Sequence, residues 1–179
     1  MTSLPVLRLL VCGATLVVVA QRGAARAMVS IPGISAVVLM DTLGEAREVD
    51  GPFGRVYHAT VLAFQGLKIP LDVTDSTSGL VGNLRLVQSR RIAGTNLSQF
   101  LSCGSSITGP RADSYRLTMP LVVLLDRLPG DRTRVRVALL ASARDMAGNS
   151  TEPVPCTTTG ALEERIRKSI DQHLAASVR

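Results

Sequence analysis

The sequence predicts an α+β fold, a two-layer sandwich in which two helices cover one face of an antiparallel sheet of about four strands. Three observations lead there. Residues 114–144 alternate apolar and polar side chains through two long runs joined by Pro129-Gly130-Asp131, the pattern of an antiparallel hairpin. Residues 161–178 place Leu162, Ile166, Ile170 and Leu174 at helical spacing. GRVYHATVLAFQGL, residues 54–67, does the same with Val56, Ala59 and Ala63. Two helices and a sheet that are each apolar on one side bury those sides against one another, and the two-layer arrangement follows.

MTSLPVLRLLVCGATLVVVAQRGAARA opens with Arg8, continues through an apolar run from Leu9 to Ala20, and ends in the small-residue site Ala25-Arg26-Ala27. This is the three-part layout of a secretory signal peptide over residues 1–27, with cleavage expected after Ala27. The apolar run is about 12 residues, whereas a membrane-spanning helix needs roughly 20. The alternative is an anchor that is never cleaved. Cys12 follows Val11, where a lipidated cysteine would follow a small residue, so it is expected to leave with the signal. Residues 28–50 form a lead-in segment, in which ISAVVLM reads as a strand or as a cover over the core. A single α+β domain is expected over residues 51–177.

In that domain Asp50-Gly51-Pro52 is read as the start of the first helix, with Asp50 as its cap and Pro52 in its first turn, and Gly66 as its stop. Ile69, Leu71 and Val73 alternate with Pro70, Asp72 and Thr74, a strand with one buried face. Asp75 to Gly79 is a turn, and NLRLVQSRRIAG is the second strand. NLSQFLSCG is read as one or two helical turns capped by Asn96, and GSSITGPRAD as a loop. In the long hairpin, Tyr115, Leu117, Met119, Leu121, Val123 and Leu125 share a face, as do Val135, Val137, Leu139 and Ala141 on the return strand. The final helix gains from Glu163 and Glu164 near its N-terminus, with Thr158 or Thr159 as its cap.

Composition supports a packed interior: 46% of the 179 residues are hydrophobic and 19% are charged. Aromatic residues are only 3%, so the core rests on Leu, Val, Ile and Ala. Of 20 basic residues only Lys68 and Lys168 are lysine, which reads as the coding bias of a GC-rich bacterial genome. The net charge is +6, and removal of Arg8, Arg22 and Arg26 with the signal lowers it to +3. Charge alone therefore implies no nucleic-acid partner. Cys103 and Cys156 remain after cleavage, an even pair in an exported chain, and read as a disulfide. The crosslink closes a loop of about 54 residues, for which the chain-entropy relation gives roughly 4 kcal/mol.

The chemistry-bearing residues form no catalytic pattern. Cys103 as a nucleophile would need His58 or His173 as its base, and no motif places either beside it. Ser105 and Ser106 lie outside a Gly-x-Ser-x-Gly frame. The cysteines and histidines lack metal-ligand spacing, and no phosphate-binding or dinucleotide-binding glycine pattern is present, so neither metal nor cofactor is expected. One surface stands out. Arg116, Arg134 and Arg136 point away from the apolar face of the hairpin, and Val122 and Leu124, with Ala138 and Leu140, lie on that same side. If helices cover only one face, the other is an interaction surface, unless residues 28–50, a partner or lipid cover it.

VYHATVLAFQGLKIPLDVTDSTSGLVGN orders a helix, an Asp-bearing strand and a Ser/Thr-Gly turn as in bacterial envelope lipoproteins. The segment from about 53 to 175 resembles the helix-grip domain of the outer-membrane assembly lipoproteins (BamC, or NlpB-like). CGSSITGPRADSYRLTMPL and PVPCTTTGALEERI are similar to secreted proteins of GC-rich bacteria for which no activity is established. The resemblance implies a non-catalytic envelope domain and carries over no catalytic residue. The expected function is thus a periplasmic or envelope-associated structural or interaction module with an envelope protein or lipid as partner. A carrier of a hydrophobic or anionic ligand between sheet and helix is the alternative, and a Cys- or His-dependent enzyme a remote one.

Overall fold

A computed structural model describes residues 26–107, 109–146 and 152–177. The apolar run of the expected signal peptide and Cys12 lie outside the described residues.

The lead-in segment contains β1 (Met28–Val29), β2 (Val38–Leu39) and β3 (Ala46–Asp50), and α1 spans Phe53–Gly66. Next come β4 (Val73–Asp75), β5 (Leu80–Asn83), β6 (Val87–Ser89), β7 (Arg91–Ile92) and β8 (Thr95–Asn96). After a 3-10 turn at Leu97–Gln99 follow β9 (Leu101–Ser102), β10 (Ser105–Ser106), β11 (Gly109–Pro110) and the short helix α2 (Arg111–Ser114). The long hairpin is β12 (Arg116–Thr118) with β13 (Leu121–Leu128), returning as β14 (Arg132–Leu139) and β15 (Ala141–Arg144). β16 (Val154–Thr158) and α3 (Ala161–Ala176) complete the chain. The protein is α+β, and every strand pair among the described residues is antiparallel.

Two five-stranded sheets, ordered β3-β14-β13-β5-β4 and β6-β12-β15-β16-β9, replace the expected single sheet of about four strands. The hairpin runs through both of them. Leu121 faces Leu139 and Thr118 faces Ser142, so its register does not slip between the sheets. The division falls where Pro120 meets Leu140. The Leu140 amide donates to the Pro120 carbonyl at 3.1 Å, and proline has no N–H to return the second bond of the pair. The neighbouring strand breaks at the same level. Asn83 faces Leu121 and Val87 faces Thr118, so three residues there stand against two, a bulge of one residue. The alternation was legible in the sequence, and the proline and bulge that split it were not.

The helix-facing side of the hairpin is as expected. Leu117, Met119, Leu121, Val123, Leu125, Val135, Val137, Leu139 and Ala141 join Val56, Ala59, Ala63 and Phe64 of α1 and Leu162, Ile166, Ile170 and Leu174 of α3 in one core. Each aliphatic side chain buried this way contributes roughly 1.5–3 kcal/mol. The opposite side forms a second core of Ala27, Val29, Met40, Leu80, Val122, Leu124 and Ala138. Residues 26–43 provide its cover. Gly44 seats that cover with φ of +69°, and a Cβ there would fall 2.1 Å from the Val137 carbonyl oxygen.

Local caps differ from expectation. Asp50 belongs to β3, opposite Arg132, and α1 starts at Phe53 with no side-chain cap. Its C-terminus is a Schellman arrangement in which Lys68, not Gly66, is left-handed at φ +56°. The Ile69 amide donates to the Phe64 carbonyl, and the Lys68 amide to Gln65. Asn96 stands at the N-cap of the 3-10 turn as expected but makes no side-chain cap bond; its Oδ1 accepts from Arg91 Nε at 3.0 Å, and strand β9 follows the single turn. At α3 the N-cap is Gly160 (φ +81°), while Thr158 donates to Glu163 Oε1 at 2.7 Å and accepts from the Gly160 amide. The segment from Ile69 to Asp72 is irregular, and β4 begins only at Val73.

Candidate functional site

The cysteine pair is a disulfide between Cys103 and Cys156, with Cα atoms 4.3 Å apart. Thr157 faces Ser102 across β16 and β9, so the two cysteines occupy the next cross-strand position. The bond clamps the outermost strand of the second sheet to its neighbour, and an oxidised Cys103 is not available as a nucleophile.

The surface expected on the open side of the hairpin is not present as such. Val122 and Leu124 are 0% exposed beneath residues 26–43, which removes them from any outer surface. The cause is the lead-in segment, one of the covers the sequence left open. Arg134 lies 3.6 Å from Glu48, and Arg136 donates to the Gly44 carbonyl at 2.6 Å, so both serve the β3 edge. Arg116 remains exposed. It stands directly opposite Arg144, and neither has an ion-pair partner among the described residues.

The fold brings other residues together. His58 of α1 and His173 of α3 line one cleft of about 510 Å³ with Arg55. No group of three His, Cys, Asp or Glu suited to a metal occurs among the described residues. Two imidazoles alone lack the ligand number of a closed metal site.

A second cleft, of about 410 Å³, has a more pronounced chemistry. Its wall combines Lys68 after α1, Arg91 of β7 and Arg165 of α3 with Gln88 of β6 and Gly94. The two guanidinium groups are oriented by neutral oxygens: Arg165 Nη1 donates to Thr95 Oγ1 at 2.8 Å, and Arg91 Nε donates to Asn96 Oδ1. None of the three cations has a carboxylate within ion-pair distance among the described residues. The C-terminus of α1 points a partial negative charge of about half a unit toward this end. Three full positive charges outweigh it, and the Schellman bonds already occupy two of the terminal carbonyls.

The backbone around the cleft is also unusual. Four non-glycine residues have left-handed φ among the described residues, and Lys68, Arg90 and Ala93 lie in or beside this cleft. Such conformations cost about 1–3 kcal/mol each and persist where the surroundings impose them, often at functional sites. The arrangement suits an anionic group, since arginine presents a planar fork of donors to carboxylate or phosphate oxygens.

Sequence reasoning did not find these residues, because Lys68, Arg91 and Arg165 are far apart in the chain. The one local signal was Arg90-Arg91 next to Ala93-Gly94, a charged pair beside a turn. No protein-family model and no curated protein matches the sequence.

Proposed function

We propose that this chain is a non-catalytic module of the bacterial cell envelope, exported and disulfide-clamped, that holds an anionic group in the cleft between the end of α1, the β6–β7 segment and α3. The observation that carries the reading is three cations around one concavity with no carboxylate within ion-pair distance among the described residues. A cleft lined from both helix and strand supports the alternative of a carrier that binds an anionic ligand between sheet and helix. The helices α1 and α3 pack side by side over the first sheet, which supports a two-layer, helix-grip-like reading of the fold and the resemblance to envelope lipoproteins. The disulfide is compatible with an oxidising compartment. No helix among the described residues is long and apolar enough to cross a membrane. A partner that brings the anion, whether an envelope protein with an acidic segment or a lipid headgroup, would dock at this end of the molecule.

The test is a titration of the protein with inorganic phosphate, and separately with vesicles of phosphatidylglycerol or of phosphatidylcholine, followed by NMR. Shifts that centre on Lys68, Arg91 and Arg165, and that vanish in an Arg91→Gln, Arg165→Gln double variant, support the site. Shifts spread over the surface, or equal in the double variant, overturn it. Phosphatidylglycerol binding without phosphate binding would assign the anion to a lipid surface.

A further inference from the structure

The sequence offers two small-residue sites for signal removal. One ends at Ala27, with Ala25 two residues before it, and the other ends at Ala25, with Gly23 two residues before it. Sequence alone favoured the first. The structure separates them, because Arg26 and Ala27 are parts of the fold. Ala27 is 4% exposed in the second core, and its carbonyl accepts from the Met40 amide at 2.9 Å. The Arg26 side chain is 19% exposed and lies between two carboxylates, with Nε 3.3 Å from Asp41 Oδ2 and Nη1 3.0 Å from Asp126 Oδ1. Nη1 also donates to the carbonyls of Leu125 at 2.9 Å and Ser78 at 3.1 Å. Cleavage after Ala27 would delete this anchor and leave Asp41 and Asp126 without their cation.

The backbone nitrogen of Arg26 narrows the position further. It lies 3.5 Å from Asp41 Oδ2, a long contact for an amide. The other oxygen, Asp41 Oδ1, is buried and meets no hydrogen-bond donor among the described residues. A secondary amide has one N–H and can serve one oxygen. An ammonium has three and carries a charge, so a chain beginning at Arg26 could satisfy both oxygens of Asp41.

We propose that export processing hydrolyses the Ala25–Arg26 peptide bond, and that the new N-terminal ammonium of Arg26 docks on Asp41. A signal-processing endopeptidase adds water across the bond. Ala25 leaves with a carboxylate, and the freed amine of Arg26 takes up a proton. The mature chain keeps Arg26, so its net charge is one unit higher than cleavage after Ala27 would leave. The new terminus also locks the cover over the second core. This inference rests on the export reading above and sharpens it to one bond.

The full chain is expressed in an exporting bacterial host, and the envelope fraction is analysed by N-terminal sequencing and intact mass. The expected product begins at Arg26 and contains the disulfide. An exported product that begins at Met28, or at any residue other than Arg26, overturns the assignment and leaves export standing. A chain that retains Met1 and stays in the cytoplasm overturns export and the assignment together. Gly23→Asp, which alters only the upstream site, is expected to block maturation; unchanged processing would overturn the assignment. Asp41→Asn in the processed protein is expected to lower Tm by several degrees. In a chain with one extra alanine ahead of Arg26, which keeps the guanidinium–Asp41 pair but has no ammonium on Arg26, the same substitution is expected to have a smaller effect. An equal drop in both would remove the ammonium–Asp41 contact.

Discussion

The two faces of the first sheet are buried by different means. On one side α1 and α3 lay regular apolar stripes over Leu121, Val123, Val135 and Val137. On the other, residues 26–43 cover Val122, Leu124 and Ala138 with little regular structure, anchored by Arg26 and seated by Gly44. Adjacent residues of β13 therefore experience two kinds of interior. A helical stripe is built from many repeated contacts and resists local collapse. An irregular strap depends on a few polar ties, and it can settle into a space left beneath it.

Leu121 and Leu124 put that difference to the largest test, since both are fully buried leucines of β13 on opposite faces. Truncation of a buried leucine to alanine costs about 2–5 kcal/mol, depending on how far the surroundings close the cavity. Leu121→Ala is expected near the upper end and Leu124→Ala near the lower, read from urea unfolding midpoints. Equal losses would mean that the strap is as rigid as the helices.

The disulfide comes next. Cys103→Ala with Cys156→Ala frees the edge of the second sheet and is expected to cost about 2–4 kcal/mol. Hydrogen exchange should report faster opening of β9 and β16, with the strap over β13 unchanged. Faster exchange at the strap would show that the two regions are coupled.

A smaller effect is expected at the cleft. Lys68→Gly relieves a left-handed backbone and should raise stability by about 0.5–1 kcal/mol. The same change should weaken phosphate binding, because it removes one of three charges. Stabilisation with undiminished binding would separate the strain from the site.

The smallest effect concerns the turn between β4 and β5. Ser78 Oγ and the Thr77 amide donate to the Asp75 carboxylate at 2.6 and 2.8 Å. The Ser78 hydroxyl first, then the amide, hold the Asp75 pKa below its ordinary value of 3.8. Its contribution to stability is present above that ordinary value and is lost as pH falls through the lowered one. An NMR titration should place the midpoint below the ordinary range, and Ser78→Ala should bring it back up.

Much of the helix-covered face could be read from local pattern. The stripe Leu162, Ile166, Ile170 and Leu174 is buried as its spacing requires, and the hairpin turns at Pro129-Gly130-Asp131. Caps were read less well, because Asp50 is held in a strand by pairing with Arg132, a partner distant in sequence. Arg134 and Arg136 were identified as outward-facing, but their ties to Glu48 and Gly44 depend on β3 joining that edge. Of the cleft only Arg90-Arg91 beside the Ala93-Gly94 turn was legible. Its cations come from the ends of three separate elements, and no periodicity links such ends.

The sequence by itself determined the α+β class, the hairpin with its alternating faces, the two long helices and the cysteine pair. Each of these follows from side-chain periodicity or from residue identity, both of which are local. Tertiary structure decided the division of the sheet at Pro120, the burial of Val122 and Leu124 under the lead-in segment, the incorporation of Arg26, and the meeting of Lys68 with Arg91 and Arg165. These depend on which edges and ends come together when the whole chain closes, a choice set by long-range pairing rather than by any one segment.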